Sequence, residues 1–134
     1  IIRGICSLVT GIKDQSENIT AISIVDRYLE HPRVSIFENE GNPKVYISSA
    51  DWMVRNIDRR VEVTCPIYDP LVKQKIIDTI AIQLSDNTKA RVLDTEQTNR
   101  YQINTSTLKT RAQVATYHYL KAQQQKKMAR DIQN

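Results

Sequence analysis

One of the two histidines in this chain of 134 residues, His31, is followed directly by Pro32 and Arg33. Side chains two residues apart point to the same side of an extended segment, so the imidazole and the guanidinium would face the same ligand. An imidazole can take up or release a proton near neutral pH, and a guanidinium binds phosphate oxygens through paired hydrogen bonds. The pair therefore favours chemistry on a phosphoryl group, with a hydrogen-bonded structural histidine as the simpler alternative.

Other groups that could complete such a site lie farther along the chain. Ser48, Ser49 and Asp51 close the second strand of a predicted hairpin, and Arg60 opens the next predicted strand. If the fold brings them to His31, a phosphoryl group with its spread negative charge would meet hydroxyls and a fixed cation. The serines and Asp51 are the weaker candidates, because residues at a strand end equally serve hydrogen bonds within the fold. A single surface arginine, in turn, is often no more than one partner of a weak ion pair.

Hydrophobic periodicity and turn residues predict the elements that must position these side chains. Two alternating segments around the turn residues 39–43 indicate the hairpin, and Asp69-Pro70 indicates a helix start because the aspartate can cap free amides. The predicted elements are strand 1–8, helix 19–30, strands 33–37, 44–49 and 60–65, a helix from 70 to about 85, strand 90–93, loop 95–106 and a helix from about 109. This interleaving predicts an α/β layered domain with a mixed sheet flanked by helices.

Composition favours a globular chain: 40% of the residues are hydrophobic and 25% are charged, and we expect residues 1–134 to form a single domain. No apolar run reaches the roughly 18 residues of a membrane-spanning helix. Cys6 and Cys65 lack the spacing of metal ligands, which predicts buried, reduced thiols in the cytoplasm. The chain begins on Ile1 within an apolar run rather than on Met, which predicts a segment of a longer protein.

Positive charge is concentrated toward the C-terminus. Up to Asn99 there are 12 basic and 14 acidic residues, whereas from Arg100 onward there are 7 basic residues and one acidic residue, Asp131. Such a segment favours a polyanionic partner, although a solvated helix face is the simpler interpretation. The apolar periodicity fades after Leu120, and residues 123–134 are expected to fray.

A set of short segments, spread over nearly the whole chain, carries a specific similarity. The segments are Ile2–Cys6, Ser16–Ile19, Ser23–His31, Phe37–Asn39, Val45–Met53, Arg55–Asp58, Ser85–Asp86, Lys89–Arg91 and Asn99–Tyr101. In this order and at this spacing, they closely resemble the C-terminal catalytic domain of bacterial polyphosphate kinases. One departure is Glu40, which stands where members of that family commonly have the first glycine of a Gly-Gly turn.

The resemblance implies a phospholipase-D-like fold that occurs twice in the whole enzyme, with this chain as the second copy. It implies reversible transfer of the terminal phosphate of ATP to inorganic polyphosphate, through a phosphorylated histidine in a preceding domain that this sequence lacks. The isolated chain is therefore expected to be inactive. The implied partners are ATP, ADP, polyphosphate, the preceding domains and further copies of the enzyme, with no specific nucleic acid. Magnesium is expected, with its ligands in segments absent here, and the implied location is the cytoplasm or the periphery of the membrane.

Carried over residue by residue, the resemblance implies that His31 is the family's second active-site histidine, a catalytic group that also contacts phosphate. Arg3 matches the ATP-binding arginine, and Arg60 matches a further phosphate-contacting arginine. Arg33 joins the two serines and the aspartate of the hairpin as a weaker candidate. No residue is assigned to a metal ion, and His118 is expected to be structural.

Two other functions stay open on the residues alone. One is a half-site of a phospholipase-D-type phosphodiesterase, a superfamily that commonly shows His-x-Lys where this chain has His31-x-Arg33. The other is a non-catalytic polyanion-binding module built on the basic segment 109–134. Hydrolysis of a phosphodiester would favour the first. Salt-dependent polyanion binding that survives changes at Arg3 or His31 would favour the second.

Overall fold

The computed structural model describes residues 1–4 and 6–133. Its helices and strands are, in chain order, β1 (Ile22–Ile24), β2 (Val34–Phe37), β3 (Lys44–Ser48), α1 (Val54–Arg59), β4 (Thr64–Pro66), α2 (Pro70–Leu84), β5 (Ala90–Val92) and α3 (Ala112–Gln133). None of the described helices is long and apolar enough to span a membrane. The mixture of helices and strands confirms the α/β class predicted from the sequence.

The chain divides into two compact units. The first unit contains residues 1–29 and 81–134, and the second unit contains residues 30–80. β1 pairs with β5 in the first unit, and β2, β3 and β4 form a three-stranded sheet in the second. All of these pairings are antiparallel, so the prediction of a mixed sheet is wrong for the described residues. β2 and β3 are joined by the short turn of residues 38–43, whereas β3 and β4 pair antiparallel although residues 49–63, which include α1, connect them.

The core of the first unit lies where β1 and β5 meet the start of α3. Ile22 and Ile24 are buried on β1, Ala90 on β5 and Ala112 at the first position of α3, and Ile82 of α2 packs against them. Ile22 lies opposite Val92, and Ile24 lies opposite Ala90. This small cluster of aliphatic side chains holds the two strands of the unit against the helix.

Two predictions for the N-terminal part of the chain are wrong. The segment 19–30 is not a helix, because Ile22 and Ile24 enter the core with a period of two residues, while Leu29 is 71% exposed. Residues 1–4 and 6–8 form no strand, although the Ile2 amide donates to the carbonyl oxygen of Ile22 at 2.8 Å. β1 has only three residues, which leaves little edge on which a neighbouring strand can extend.

The predicted hairpin of the second unit is confirmed. β2 pairs with β3 in a register that places Val34 opposite Ile47 and Phe37 opposite Lys44. At the turn, the Asn42 amide donates to the carbonyl oxygen of Asn39 at 2.9 Å. Both central residues have a positive φ, 51° for Glu40 and 79° for Gly41, as a type I′ turn requires. The geometry therefore puts a glutamate where glycine is favoured, at the position where the resemblance implies a glycine.

Replacing Glu40 with glycine is expected to stabilise the chain. The left-handed conformation is costly for a residue with a Cβ, so Glu40→Gly should raise the free energy of unfolding by about 0.5–1 kcal/mol, measured by urea unfolding. Glu40→Ala is the matched control, because it removes the same carboxylate but keeps the Cβ. Equal stabilisation by both variants would show that charge, and not backbone conformation, is responsible.

The third strand of this sheet is displaced from its predicted position. A strand was expected at 60–65, whereas β4 covers Thr64–Pro66. Before β4, the Val63 amide donates to Ser49 Oγ at 3.0 Å and not to a backbone carbonyl oxygen of β3. Val61 is 99% exposed, so the predicted apolar face of this segment does not reach a core.

Both cysteines are unpaired, as predicted, but they are not buried. Cys65 is exposed and Cys6 is half-buried. Cys65 lies on β4, a strand at one edge of the three-stranded sheet. Its exposure shows that an apolar, β-branched neighbourhood in the sequence does not guarantee burial of a thiol.

The two long helices begin at side-chain caps. Asp69 Oδ1 accepts the amides of Leu71 and Val72 at 2.8 and 2.9 Å, which confirms the predicted start of α2. The predicted apolar stripe of α2 is only partly correct, because Leu84 is 54% exposed while Gln83 is buried. α3 begins three residues later than predicted and extends to Gln133, through residues expected to fray; fraying itself stays a prediction.

The cap of α3 is Asp86, a fully buried carboxylate. Its Oδ2 accepts the Ala112 amide at 2.6 Å, and its Oδ1 accepts the amides of Thr88, Lys89 and Ala90 at 2.6–3.0 Å. Burial raises the pKa of Asp86, but these four hydrogen bonds outweigh burial and hold the pKa below its usual value. A single side chain thus joins the loop before β5 to the first turn of α3.

Candidate active site

The second unit brings three of the predicted site residues into direct contact. His31 and Arg33 precede β2, and Asp51 follows β3. The two strands are antiparallel, so the beginning of β2 lies beside the end of β3, and the Ser48 amide donates to the Arg33 carbonyl oxygen at 2.8 Å. Asp51 Oδ1 lies 2.8 Å from His31 Nε2 and 2.8 Å from Arg33 Nε. The hairpin therefore assembles an imidazole, a guanidinium and a carboxylate.

The electrostatics of this cluster keep Asp51 ionised and Arg33 charged at neutral pH. The hydrogen bond from Arg33, and after it the one from His31, lowers the pKa of Asp51 to about 2. Asp51 in turn raises the pKa of Arg33. An ionised carboxylate only accepts hydrogen bonds, so Nε2 of His31 must carry a proton toward Asp51. The His31 side chain is 57% exposed, and Nδ1 is the nitrogen left for a ligand.

The two serines serve hydrogen bonds within the fold. Ser48 Oγ accepts the Ala50 amide at 3.1 Å and lies 3.1 Å from the hydroxyl of Thr64. Ser49 Oγ accepts the Val63 amide and donates to Glu62. These contacts hold the segment that leads to Asp51 against the segment that leads into β4. Direct contact of either serine with a substrate stays a prediction.

Glu62 and Asn56 are the residues that sequence reasoning missed. The Asn56 amide Nδ2 donates to Glu62 Oε1 at 2.7 Å, and Asn56 is only 2% exposed. The hydrogen bond from Ser49, followed by the one from Asn56, lowers the pKa of Glu62, and the charges of Arg60 and Arg33 add to the effect. The alternation of residues 60–65 places Arg60 and Glu62 on one side of an extended segment, and this pattern could have identified Glu62 as a site residue.

The two predicted phosphate-binding arginines lie in different units. Arg60 is exposed at the C-terminal end of α1, two residues before Glu62. Arg3 is exposed and belongs to the first unit. Their roles stay predictions carried by the resemblance. His118, on α3, is exposed and stacks edge-on against Tyr117 with ring centroids 5.4 Å apart.

Within the described ranges 1–4 and 6–133, no group of three or more histidine, cysteine, aspartate or glutamate side chains could hold a metal ion. The magnesium ion that the resemblance implies stays a prediction.

Comparison with known proteins gives one consistent result. The family model "Polyphosphate kinase C-terminal domain 2" matches residues 1–113. A polyphosphate kinase of Vibrio parahaemolyticus is 59% identical over 121 residues, which are 90% of this chain and 17% of that protein. A polyphosphate kinase of Escherichia coli K12 is 55% identical over 125 residues, which are 93% of this chain and 18% of that protein.

A solved structure shows the same similarity in three dimensions. The crystal structure of polyphosphate kinase from Porphyromonas gingivalis matches 92% of this chain and 19% of its own chain, with 46% sequence identity and a TM-score of 0.87. The present chain thus spans less than a fifth of the length of these related proteins. On the match over residues 1–113 and these identities, the chain belongs to the family of polyphosphate kinase C-terminal domain 2.

Proposed function

We propose that this chain is the second catalytic domain of an ATP:polyphosphate phosphotransferase with a phospholipase-D-like fold. The observation that carries the proposal is the contact of His31 and Arg33 with Asp51, in a chain whose relatives are named polyphosphate kinase. The substrates are ATP or ADP and inorganic polyphosphate, and the reaction runs in both directions. The enzyme is a homo-oligomer whose preceding domains supply the rest of the site. The exposed, unpaired Cys65 supports a reducing compartment such as the cytoplasm.

The reaction takes place in two balanced steps. A histidine of a preceding domain attacks the terminal phosphorus of ATP, so that an N–P bond forms while the P–O bond to ADP breaks. A terminal oxygen of polyphosphate then attacks the phosphohistidine, which forms a new P–O bond and releases the imidazole. The oxygen that leaves in the first step accumulates negative charge and needs a proton or a hydrogen bond.

His31 supplies that proton or hydrogen bond from Nδ1 when its ring carries a proton on both nitrogens, because Nε2 keeps its own proton toward Asp51. Its Nε2 is held by Asp51, which fixes the orientation of the ring and which nitrogen faces the substrate. Asp51 is thus a positioning residue, and His31 is the catalytic residue. The position of His31 at the mouth of the hairpin, with more than half of its side chain exposed, leaves the ring open to phosphate.

The arginines bind the phosphate oxygens. Arg33 uses Nε for the hydrogen bond to Asp51, so its two terminal amino groups remain for a ligand. Arg60, in the same unit as Arg33, adds a second cation on the strength of the family resemblance, because a guanidinium keeps its charge and can bind two oxygens as charge shifts onto the leaving group. The resemblance separately implies that Arg3 binds ATP.

The test is to incubate the whole protein that carries this chain with ATP labelled in its terminal phosphate. Acid-labile phosphate on the protein and labelled polymer are measured separately. Formation of both is expected. If the protein forms neither but hydrolyses a phosphodiester, the kinase proposal fails and the phosphodiesterase half-site takes its place.

A further inference from the structure

The second half of α3 is a cationic helix that the family match does not cover. The match ends at residue 113, whereas α3 continues to Gln133. Lys126, Lys127 and Arg130 are exposed on this part of the helix. The ion pairs among the described residues join other side chains, Asp26 with Arg111 for example, and leave these three cations out.

Helical geometry places the three cations on one side of α3. At 3.6 residues per turn, Lys126, Arg130 and Lys127 fall within an arc of about 100°. Lys126 and Arg130 are four residues apart, a spacing at which like charges repel and destabilise a helix. Asp131 lies four residues after Lys127 and is the one acidic residue of the segment. Only Arg130 lies in the last turn, where a cation offsets the helix dipole, so the dipole does not account for the two lysines.

We propose that Lys126, Lys127 and Arg130 form an auxiliary binding surface for the polyphosphate chain. The proposal rests on the proposed function, which makes a long linear polyanion the substrate and product of the enzyme. A row of exposed cations attracts such a chain by releasing its bound counterions and needs no shaped pocket. The surface would retain a growing polymer between successive transfers.

The composition of the segment favours polyphosphate over single-stranded nucleic acid. Proteins that bind single strands combine cations with aromatic side chains on which the bases stack. Residues 121–133 contain no phenylalanine, tyrosine or tryptophan. The second half of α3 therefore offers charge without a stacking platform, which suits a polyanion that has no bases.

The test compares polyphosphate binding by the complete chain and by the triple variant Lys126→Gln, Lys127→Gln, Arg130→Gln. Near 0.1 M salt, the variant is expected to bind long-chain polyphosphate about tenfold more weakly, and the slope of log affinity against log salt should fall by about 2. Tripolyphosphate is too short to use the surface together with another site, so its affinity should change by less than about twofold. A Lys126→Arg, Lys127→Arg variant should bind like the wild type, because it keeps the charges.

The matched control is Lys13→Gln, Lys44→Gln, Lys75→Gln, which removes the same net charge from three scattered, exposed positions. Its affinity should fall by about twofold or less. Equal losses in the two triple variants would overturn the surface, because net charge alone would then explain binding. Tighter wild-type binding of single-stranded DNA than of polyphosphate with equal charge would also overturn it.

The labelled-ATP assay on the whole protein separates this inference from the proposed function. If phosphate is transferred to the polymer but the two triple variants bind polyphosphate equally well, the surface is overturned and the kinase proposal stands. If the two triple variants differ in polyphosphate affinity but no phosphate is transferred, the kinase proposal is overturned. The polyphosphate-binding surface would then belong to a module without the proposed activity.

Discussion

The His31→Ala variant of the whole protein is expected to lose polymer synthesis by about 10²- to 10⁴-fold, because the leaving oxygen of ADP would no longer receive a proton or hydrogen bond at Nδ1. The measurement is the rate of labelled polymer formation from ATP. Folding should be unaffected, since the imidazole is more than half exposed and contacts Asp51 at the surface. The effect therefore reports on chemistry and not on stability.

His118→Ala is the matched control for this substitution. His118 is the other histidine of the chain, it is exposed on α3, and its ring packs against Tyr117. Its removal should leave the rate within about twofold of wild type, as for most surface substitutions. Comparable losses in the two variants, or a wild-type rate in His31→Ala, would contradict the catalytic role of His31.

Asp86→Ala is expected to lower the free energy of unfolding by about 3–5 kcal/mol, because four backbone amides would lose their acceptor in a buried site. The measurement is urea unfolding of the chain at pH 7. Asp69→Ala is the control: Asp69 caps α2 at an exposed position, and its loss should lower the free energy by about 1 kcal/mol. Equal losses in the two variants would contradict the importance of burial.

The pH dependence of stability gives a second readout for Asp86. The pKa of Asp86 is lower in the folded chain than its usual value, so ionised Asp86 stabilises the fold above the unfolded pKa of about 3.9. That contribution is lost as the pH falls through the folded-state pKa. The difference between wild type and Asp86→Ala should therefore be greatest near neutral pH and shrink in acid. A difference that grows as the pH falls would contradict the assignment.

The parts of the structure that the sequence predicted correctly depend on local chemistry. Asp69-Pro70 starts α2 because the cap involves residues two and three positions apart. The hairpin follows from alternation on both sides of a turn, and it places His31 and Arg33 beside Asp51. Where the geometry of a few neighbouring residues decides the outcome, the sequence was sufficient.

The failures depend on contacts between distant segments. Whether Ile22 belongs to a helix or to a buried strand is decided by β5, where Val92, 70 residues later in the chain, pairs with it. From the sequence, Asp86 is predicted only to be a polar residue at the end of a helix. Its role as the cap of α3 depends on Ala112, which is far away in the sequence and donates its amide to Asp86. Asn56 lies on the short helix α1, which the hydrophobic periodicity did not predict. The chain turns after this helix and brings Glu62 to Asn56.

The two hydrogen bonds to Asp51 end on one and the same oxygen atom, Oδ1. Loss of Asp51 would release the imidazole and the guanidinium together, so the three residues are energetically coupled. A change at one position alters the selective value of the other two, since the energies of residues in mutual contact do not add. Single substitutions at the three positions are therefore expected to have effects on activity that do not add.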